Sequence, residues 1–428
     1  MSSDTCKLSD IADVQGGFAF KSADFSDTGV AVVKIANIQP PSVSLTNVDR
    51  IAPDKLQGLE RFELLDGDIL MAMTGATVGK AGRFRLTEPA YLNQRVARIS
   101  AKKGPLFDDF VYAVVSLPGF DNLIEGASAG SAQANISAAG IGSVVIPKLS
   151  DSEQIQIGGI ARMLDDRIAL LRETNATLEA IAQALFKSWF VDFDPVHARA
   201  RGEQPAGLSP EVAALFPDSF EESELGMVPK GWMVEPLDEI ADFLNGLALQ
   251  KFPPDGDADL PVIKIAQLRK GDAVGADRAS SKIKPEYIIQ SGDVLFSWSG
   301  SLEVEVWCGG EGALNQHLFK VTSQRFQKWF YLHWTKHHLA NFKHIAASKA
   351  TTMGHIQRRH LTEAMVVVPS PEVIVEADKV FAPLLEQWIN NALQAQTLAT
   401  LRDTLLPRLI SGQLRLPEAE VTLQEAGI

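Results

Sequence analysis

One pattern of short segments occurs twice along the chain in the same order, and this internal repeat restricts the fold more than any local motif does. The matching pairs are LSDIAD at 8–13 and LDEIAD at 237–242, VVKIANIQ at 32–39 and VIKIAQLR at 262–269, GDIL at 67–70 and GDVL at 292–295, LNQ at 92–94 and 314–316, and SVVIPKLS at 143–150 and MVVVPSPE at 365–372. So many matches in one order predict two related globular parts within one chain.

Each repeat combines short strand signals with a long helix after them. β-Branched runs broken by glycine and proline predict strands, and they lie at 30–33, 144–146, 262–265 and 366–368. Ser150 and Glu153 have capping-box spacing, and Ser370 precedes Pro371, which suits a first helical position. We therefore predict that the two helices begin at these points.

Other residues predict where the helices end or break. Pro195 is expected to end the first helix, and Pro407 followed by Gly412 the second. The pair Gly158-Gly159 weakens the first helix near its start, which predicts a break there or near Leu164.

Apolar residues recur in both helices at steps of three and four, as in a coiled-coil seam. The first stripe is Leu164, Ile168, Leu171, Leu178, Ala182, Leu185 and Trp189, with Asn175 as its polar member. The second is Leu384, Trp388, Ala395, Leu398, Leu405 and Leu409, interrupted by Asn391 and Arg402. We predict that the helices pair antiparallel; the alternative is that each packs only on its own globular part.

Composition indicates a folded protein with several domains. The chain has 428 residues, 46% hydrophobic and 22% charged, and roughly 100–200 residues per domain gives two to four units. Neither a signal peptide nor a long apolar run is visible, so we expect a cytoplasmic protein without a membrane segment. Cys6 and Cys308 are far apart and form no CxxC pattern, which predicts neither a disulfide framework nor a cysteine zinc site.

Charge is segregated along the chain although its net value is −13. Residues 312–362 contain no Asp or Glu but several Lys and Arg, and residues 89–107 form a smaller window of the same kind. The region 202–229 is acidic. This distribution favours nucleic-acid binding over the repulsion that the net charge alone suggests.

The candidate DNA-binding residues lie at matching places in the two repeats. Amide groups suit adenine edges and Arg suits guanine, while hydroxyls and cations suit phosphates. In the first repeat the candidates are Lys34, Asn37, Gln39, Asn93, Gln94, Arg95, Ser128, Ser131 and Gln133, with Asn135 beside them. In the second they are Lys264, Gln267, Arg269, Asn315, Gln316, His317, Lys349, Thr351, Thr352, His355, Arg358 and Arg359.

Two of these groups also have a purely structural interpretation. The LNQ residues suit a turn closed by side-chain hydrogen bonds, and the groups after the predicted strands suit a solvated strand edge. Trp298, which aligns with Met73, is predicted to pack in the core, with stacking or wedging as the alternative.

No sequence pattern of a catalytic or metal site stands out. His333 and His337 are four residues apart, but the glutamate of HExxH is absent, so a basic helix facing phosphate is the preferred interpretation. Neither a Walker loop nor the Asp/Asn-Pro-Pro-Tyr sequence of adenine methyltransferases occurs. We predict a protein without catalytic residues or a metal site.

The chain resembles the specificity subunit of type I restriction-modification enzymes. The resemblance covers nearly the whole chain and is most specific at ALFKSWFVDFDPV (184–196), VPKGW (228–232) and LRDTLLPRLISGQL (401–414). It implies a mixed α/β (α+β) fold with two repeated target recognition domains separated by two long antiparallel coiled-coil spacer helices. The second half lacks a counterpart of SWFVDFDPV, so the two ends of the helical pair need not bind partners equivalently.

The expected organisation follows from the repeat together with this resemblance. It comprises a first target recognition domain at 1–150, a first spacer helix region at 151–193, a linker at 194–230, a second target recognition domain at 231–369, a second spacer helix region at 370–414 and a tail at 415–428.

The resemblance also implies a function and a set of partners. Such a subunit reads a bipartite target on double-stranded DNA and assembles with two methyltransferase subunits and with restriction subunits that supply motor and nuclease activity. No cofactor is expected in this chain, whereas S-adenosylmethionine, ATP and Mg²⁺ are expected in the partner subunits. The alternatives are a stand-alone DNA-binding regulator and a metal-dependent nuclease built on the histidine-rich window.

Overall fold

A computed structural model of the chain describes residues 4–127, 135–256, 258–348, 354–425 and 427. The chain forms two compact units. Unit 1 comprises Met1–Ile168 and Thr397–Ile428, and unit 2 comprises Ala169–Gln396. Each unit therefore contains one globular part of the repeat and a portion of each long helix.

Unit 1 is built mainly from short strands. They are Thr5–Lys7, Ala12–Gly16, Phe25–Ser26, Val30–Val33, Ile38–Gln39, Ser42–Val43, Asp49–Ile51, Ile69–Ala72, Ala81–Arg83, Ala90–Leu92, Val96–Ala101 and Val145–Pro147. Its shorter α-helices are Leu8–Ile11, Asp108–Val115, Phe120–Ala127, Ala138–Gly142 and Leu416–Glu425. Single 3₁₀ turns lie at Ser22–Asp24, Ile35–Asn37, Pro53–Leu56, Glu60–Phe62, Gly75–Thr77 and Pro105–Phe107.

The strands of unit 1 form one larger and two smaller sheets. Val96–Ala101 lies between Ala12–Gly16 and Ile69–Ala72 and is antiparallel to both. Val30–Val33 runs parallel to Ala90–Leu92. The fully buried residues Val32, Val33, Leu70 and Leu92 belong to the apolar core that these sheets share.

Unit 2 repeats this plan. Its strands are Phe220–Ser223, Gly226–Pro229, Met233–Pro236, Asp242–Asn245, Leu260–Ile263, Arg278–Ala279, Ile288–Ile289, Val294–Ser297, Val304–Val306, Gly312–Leu314, Leu318–Thr322 and Met365–Val368. Its shorter α-helices are Asp194–Ala200, Pro210–Ala213, Leu237–Ile240, Ile265–Lys270, Lys328–Ser348 and Arg358–Thr362, with 3₁₀ turns at Leu249–Lys251 and Pro285–Tyr287.

The strand pairing in unit 2 matches that in unit 1 and confirms the predicted repeat. Leu318–Thr322 lies between Asp242–Asn245 and Val294–Ser297, antiparallel to both. Leu260–Ile263 runs parallel to Gly312–Leu314. The mixed α/β fold class is therefore confirmed.

Both units contain the same close backbone approach. A Cβ atom on Gly17 would lie 2.2 Å from the carbonyl oxygen of Asn93, and one on Gly246 would lie 2.2 Å from that of Asn315. Only glycine fits at this distance. This approach places the LNQ turn against the end of the strand Ala12–Gly16 in unit 1. In unit 2 it places the turn against the end of Asp242–Asn245.

The first long helix is continuous, so the predicted break was wrong. It spans Asp151–Phe186 and continues as a π-helical turn, Lys187–Val191. A Cβ atom on Gly158 would lie 2.6 Å from the backbone nitrogen of Phe110, which shows that glycine there allows close packing on a neighbouring helix. The capping box is confirmed, since the Ser150 amide donates to Glu153 (2.8 Å) and the Glu153 amide donates to Ser150 Oγ (3.3 Å).

The second long helix spans Pro371–Ile410. Pro407 lies inside its last turn, so the predicted stop at this proline was wrong, whereas Gly412 follows the end with φ +73° as a C-terminal glycine does. Within the described part of the chain, no helix is both long and apolar enough to cross a membrane.

In unit 2 the two long helices pair antiparallel through a buried polar layer. Asn391 Nδ2 donates to Asn175 Oδ1 (3.0 Å), and Asn175 Nδ2 donates to the carbonyl oxygen of Trp388 (2.8 Å). Phe186, which lies after Asn175 in the first helix, contacts Phe381, which lies before Asn391 in the second helix. The two ring centroids are 6.4 Å apart. These contacts confirm the predicted antiparallel seam.

Arg402, the charged residue that interrupts the second apolar stripe, pairs with an aspartate of the first helix in unit 1. Arg402 Nη1 lies 2.7 Å from Asp165 Oδ1, and both side chains are at most a quarter exposed. Leu164, Leu405 and Leu409 are buried on either side of this pair. In each unit, therefore, a polar contact joins the two long helices among apolar neighbours.

We predict that the Asn391→Leu change lowers the free energy of unfolding by about 1–3 kcal/mol, because Asn175 Oδ1 then stays buried without its donor. The double change Asn175→Leu with Asn391→Leu removes both amides and is expected to restore most of that loss. Urea denaturation measures both. If the double variant is no more stable than the single one, the layer does not act as a pair.

Candidate nucleic-acid interface

The long acid-free window is less basic, in the part that the structure describes, than its sequence suggested. Four of its eight Lys and Arg residues pair with carboxylates from other parts of unit 2: Lys320 with Asp293 (2.7 Å), Arg325 with Glu235 (2.7 Å), Lys336 with Glu179 (2.5 Å) and Lys343 with Glu303 (3.5 Å). A window of sequence cannot show such distant partners. Among the described cations of this window, the exposed Arg358 and Arg359 therefore remain as candidates for DNA contact in unit 2.

In the smaller window one cation differs from the rest. Arg98 lies 3.3 Å from Asp68, Lys102 lies 3.8 Å from Asp13, and Lys103 lies 2.5 Å from Asp151. Arg95 is exposed, and in the described residues its guanidinium has neither a hydrogen bond nor an ion pair. Its charge is available to a ligand.

The histidine-bearing helix packs His333 into the core, so the prediction of a basic helix facing phosphate was wrong for this residue. His333 is 8% exposed, and its ring stacks on Phe186 with centroids 5.1 Å apart. Burial, together with the nearby Lys336 charge, lowers the pKa of His333 to about 3. Among the described residues, no group of three or more His, Cys, Asp or Glu side chains is placed to hold a metal ion.

A buried neutral histidine makes stability depend on pH. The pKa of His333 is about 3 in the folded protein and ordinarily 6.5, so below pH 6.5 only the unfolded chain takes up the proton. We expect the free energy of unfolding to fall by about 1 kcal/mol from this group between about pH 7 and about pH 5.5. His333→Phe should remove that part of the decline, which urea denaturation at the two pH values measures; an unchanged slope would contradict it.

The LNQ turns place their three residues differently. Asn93 and Asn315 are buried, and each amide oxygen accepts the backbone N–H two residues ahead, from Arg95 (3.3 Å) and His317 (3.2 Å). These two asparagine side chains therefore close a turn by hydrogen bonds, which is the structural alternative to contact with bases. The turns hold the residues that follow, so that Gln94 and Arg95 are exposed and Gln316 and His317 partly exposed.

In unit 1 three chain segments meet beside this turn, and we call Met73, Thr74, Arg95 and Asn135 the first junction. The Met73 amide donates to the Arg95 carbonyl (2.9 Å), and the Ile136 amide donates to the Met73 carbonyl (3.0 Å). Thr74 forms a β-bridge with Asn135. All these contacts involve only the backbone.

Unit 2 has the same arrangement, and we call Trp298, Ser299, His317 and His355 the second junction. The Trp298 amide donates to the His317 carbonyl (3.3 Å), and the Ile356 amide donates to the Trp298 carbonyl (3.0 Å). Ser299 forms a β-bridge with His355. The repeat thus keeps the backbone of the junction and changes its side chains.

The side chains of the second junction form an aromatic cluster that the sequence did not predict. The Trp298 ring lies 5.8 Å from that of His317 and 6.3 Å from that of His355. Trp298 packs against the apolar core of unit 2, as predicted, but part of it remains exposed. The signal in the sequence was the alignment of tryptophan with Met73, a residue of different size and shape.

The residues that follow the parallel strands are used locally. Asn37 is buried and accepts from the Lys34 amide (2.9 Å), while Gln267 accepts from the Lys264 amide (3.3 Å). Lys34 and Lys264 form ion pairs with Asp49 (2.7 Å) and Asp277 (2.5 Å). Gln39 and Arg269 are exposed.

The last group of candidates lies around the second junction. Arg358 and Arg359 are exposed at the start of a helix, and Arg358 donates to the Phe243 carbonyl (3.1 Å). One such bond leaves most of the five guanidinium N–H groups available. Outside the described residues lie the candidates Ser128, Ser131, Gln133, Lys349, Thr351 and Thr352.

Comparison with protein families identifies the chain. The model of a family described as type I restriction modification DNA specificity domain matches residues 2–180 and again residues 229–402, which together are most of the chain. The chain belongs to this family. It is therefore a DNA specificity component of a type I restriction-modification system and not the catalytic component.

Several relatives of this specificity family are similar in sequence. The MjaIX specificity subunit of Methanocaldococcus jannaschii is 25% identical, over 77% of this chain and 74% of its own. The HindI specificity subunit of Haemophilus influenzae is 26% identical over 61% and 67%, and the EcoBI specificity subunit of Escherichia coli is 23% identical over 95% and 85%. All three are specificity subunits of type I restriction enzymes.

A solved structure supports the fold of this specificity component. The type I S subunit from M. genitalium is similar over 96% of both chains, with a TM-score of 0.56 and 14% identity. At this identity the likeness concerns the fold alone.

Proposed function

We propose that the two units read separate halves of a bipartite target on double-stranded DNA, each through its junction. The observation that carries the proposal is the conserved backbone of the two junctions combined with different side chains. Arg95 and Asn135 occupy the first junction at the places of His317 and His355 in the second. Two half-sites of different sequence require different hydrogen-bond donors and acceptors, and the two junctions supply these on the same backbone arrangement.

The proposed contact set consists of candidates whose side chains reach solvent, without Lys34 and Lys264, which pair with nearby aspartates, and Gln267, which accepts from a backbone amide. In unit 1 these are Gln39, Gln94, Arg95 and Asn135, and in unit 2 they are Arg269, Gln316, His317, His355, Arg358 and Arg359. Arg358 and Arg359 suit phosphate contacts, which fix the position of the protein on the duplex. Asn37, Asn93 and Asn315 are left out because their amides are buried and bonded to the backbone.

We further propose that the chain works in a complex with two methyltransferase subunits and with restriction subunits. The support is its similarity to specificity subunits of type I restriction enzymes over much of their length. S-adenosylmethionine, ATP and Mg²⁺ are then used by the partner subunits. A methyltransferase must turn its adenine out of the duplex, so the task of this chain is to hold that enzyme over the correct base.

Domain exchange tests the separate reading of the half-sites. Residues 8–147 are replaced by the aligned region of a relative with a known target, and the methylome of cells carrying the whole operon is sequenced. One half of the methylated sequence should change to that of the relative while the other half is unchanged. A change in both halves would show one composite site.

A further inference from the structure

The indole of Trp298 has its only polar atom already bonded. Nε1 donates to Asn245 Oδ1 (2.9 Å), and every other ring atom is carbon. The residue is nevertheless only half-buried. The part of the ring that reaches solvent therefore offers an apolar surface and no hydrogen bond.

Neighbouring side chains fix the ring in place. It lies 6.0 Å from the Phe319 ring and 5.8 Å from the His317 ring, and Ser299 Oγ is 2.9 Å from His317 Nδ1. The Arg358 guanidinium lies 5.7 Å from the centroid of the Phe319 ring. A fixed apolar edge thus lies beside a cation that suits a phosphate.

The described residues at the corresponding place in unit 1 present no such edge. Met73 takes the place of Trp298 and is 8% exposed. Gly16 takes the place of Asn245, because Gly16 pairs with Ala97 as Asn245 pairs with Phe319. The indole and the amide that holds it are both specific to unit 2.

We propose that Trp298 determines specificity in the second half-site by contacting the C5-methyl group of a thymine. In the major groove that methyl is the apolar feature of the base edges, and an apolar side chain recognises it by contact. The inference rests on the proposed function, because it places the second junction against DNA.

Methyl removal tests this directly. In duplexes carrying the target found by methylome sequencing, each thymidine is replaced in turn by deoxyuridine, and binding by the complex with the methyltransferase subunits is measured. We expect one position in one half-site where the loss weakens binding about fourfold, as expected for one buried methyl. A flat scan in the parent protein, or a half-site without thymine, would overturn the proposal without any variant.

A variant links the effect to the ring. Trp298→Met introduces the residue of unit 1 and should abolish the dependence on that one methyl, whereas Trp298→Phe should retain part of it. The matched control, Met73→Leu in the first junction, should leave the effect unchanged. Thermal melting checks that each variant is folded.

The remaining outcomes separate the inference from the proposed function. If Trp298 instead wedges between two base pairs, replacement of thymine by uracil has no effect on binding. The fluorescence of 2-aminopurine placed next to that base-pair step then increases on binding of the parent protein but not of Trp298→Met. That result would overturn methyl recognition while leaving separate half-sites intact. If exchange of residues 8–147 changes both half-sites, the proposed function itself fails.

Discussion

Replacing Arg95 by alanine is expected to lower discrimination at a single base pair of one half-site by about 10- to 100-fold. The guanidinium is exposed and unpaired within the described residues, in contrast to the other cations of its window. Arginine binds guanine with two hydrogen bonds, which is the commonest specific contact to a base. We therefore expect a guanine at the affected position.

The measurement is the methylation rate on a set of duplexes in which each base pair of the target is changed in turn. Arg61→Ala, which removes an exposed arginine elsewhere in unit 1, serves as the control and should keep the parent pattern. A uniform loss on every duplex, with a salt slope reduced by about one, would instead make Arg95 a phosphate contact.

The Phe190→Ala change is expected to lower the free energy of unfolding of unit 2 by about 3–5 kcal/mol. Phe190 is fully buried, and its ring lies 6.2 Å from that of Trp232, 5.8 Å from that of Trp329 and 6.0 Å from that of Phe381. Removing the ring leaves a cavity among other large rings that cannot move to fill it.

Urea denaturation, followed by tryptophan fluorescence, measures this loss. Leu170→Ala is the matched control, because Leu170 is on the same long helix and is 52% exposed, so its truncation should cost little. A loss below about 1 kcal/mol for Phe190→Ala would mean that the rings repack. The segment ALFKSWFVDFDPV, the most specific part of the family resemblance, contributes to this core.

The architecture was predictable from the sequence because it depends on patterns that are local or repeated. The repeat predicted two related units, and the stripe around Asn175 and Asn391 predicted the antiparallel helices. Both predictions use the order and spacing of residues, which the sequence displays directly.

Features that depend on distant partners were not predictable. Gly158 resembles a helix breaker until the backbone of Phe110 is placed against it. Lys336 resembles a free cation until Glu179 is found 2.5 Å away. In the same way the contact of Trp298 with the core was predictable, whereas its bond to Asn245 and its partial exposure cannot be read from its neighbours in sequence.

The backbone-only contacts of the two junctions have a consequence for how such a protein changes over generations. Because Arg95 takes part in these contacts through its backbone and its side chain is exposed, that side chain can be exchanged with little penalty to folding. Surface substitutions of this kind usually alter stability by no more than about 0.5 kcal/mol. A lineage can therefore acquire a new DNA target in one half without first acquiring a compensating mutation, and the two halves are free to diverge at different rates.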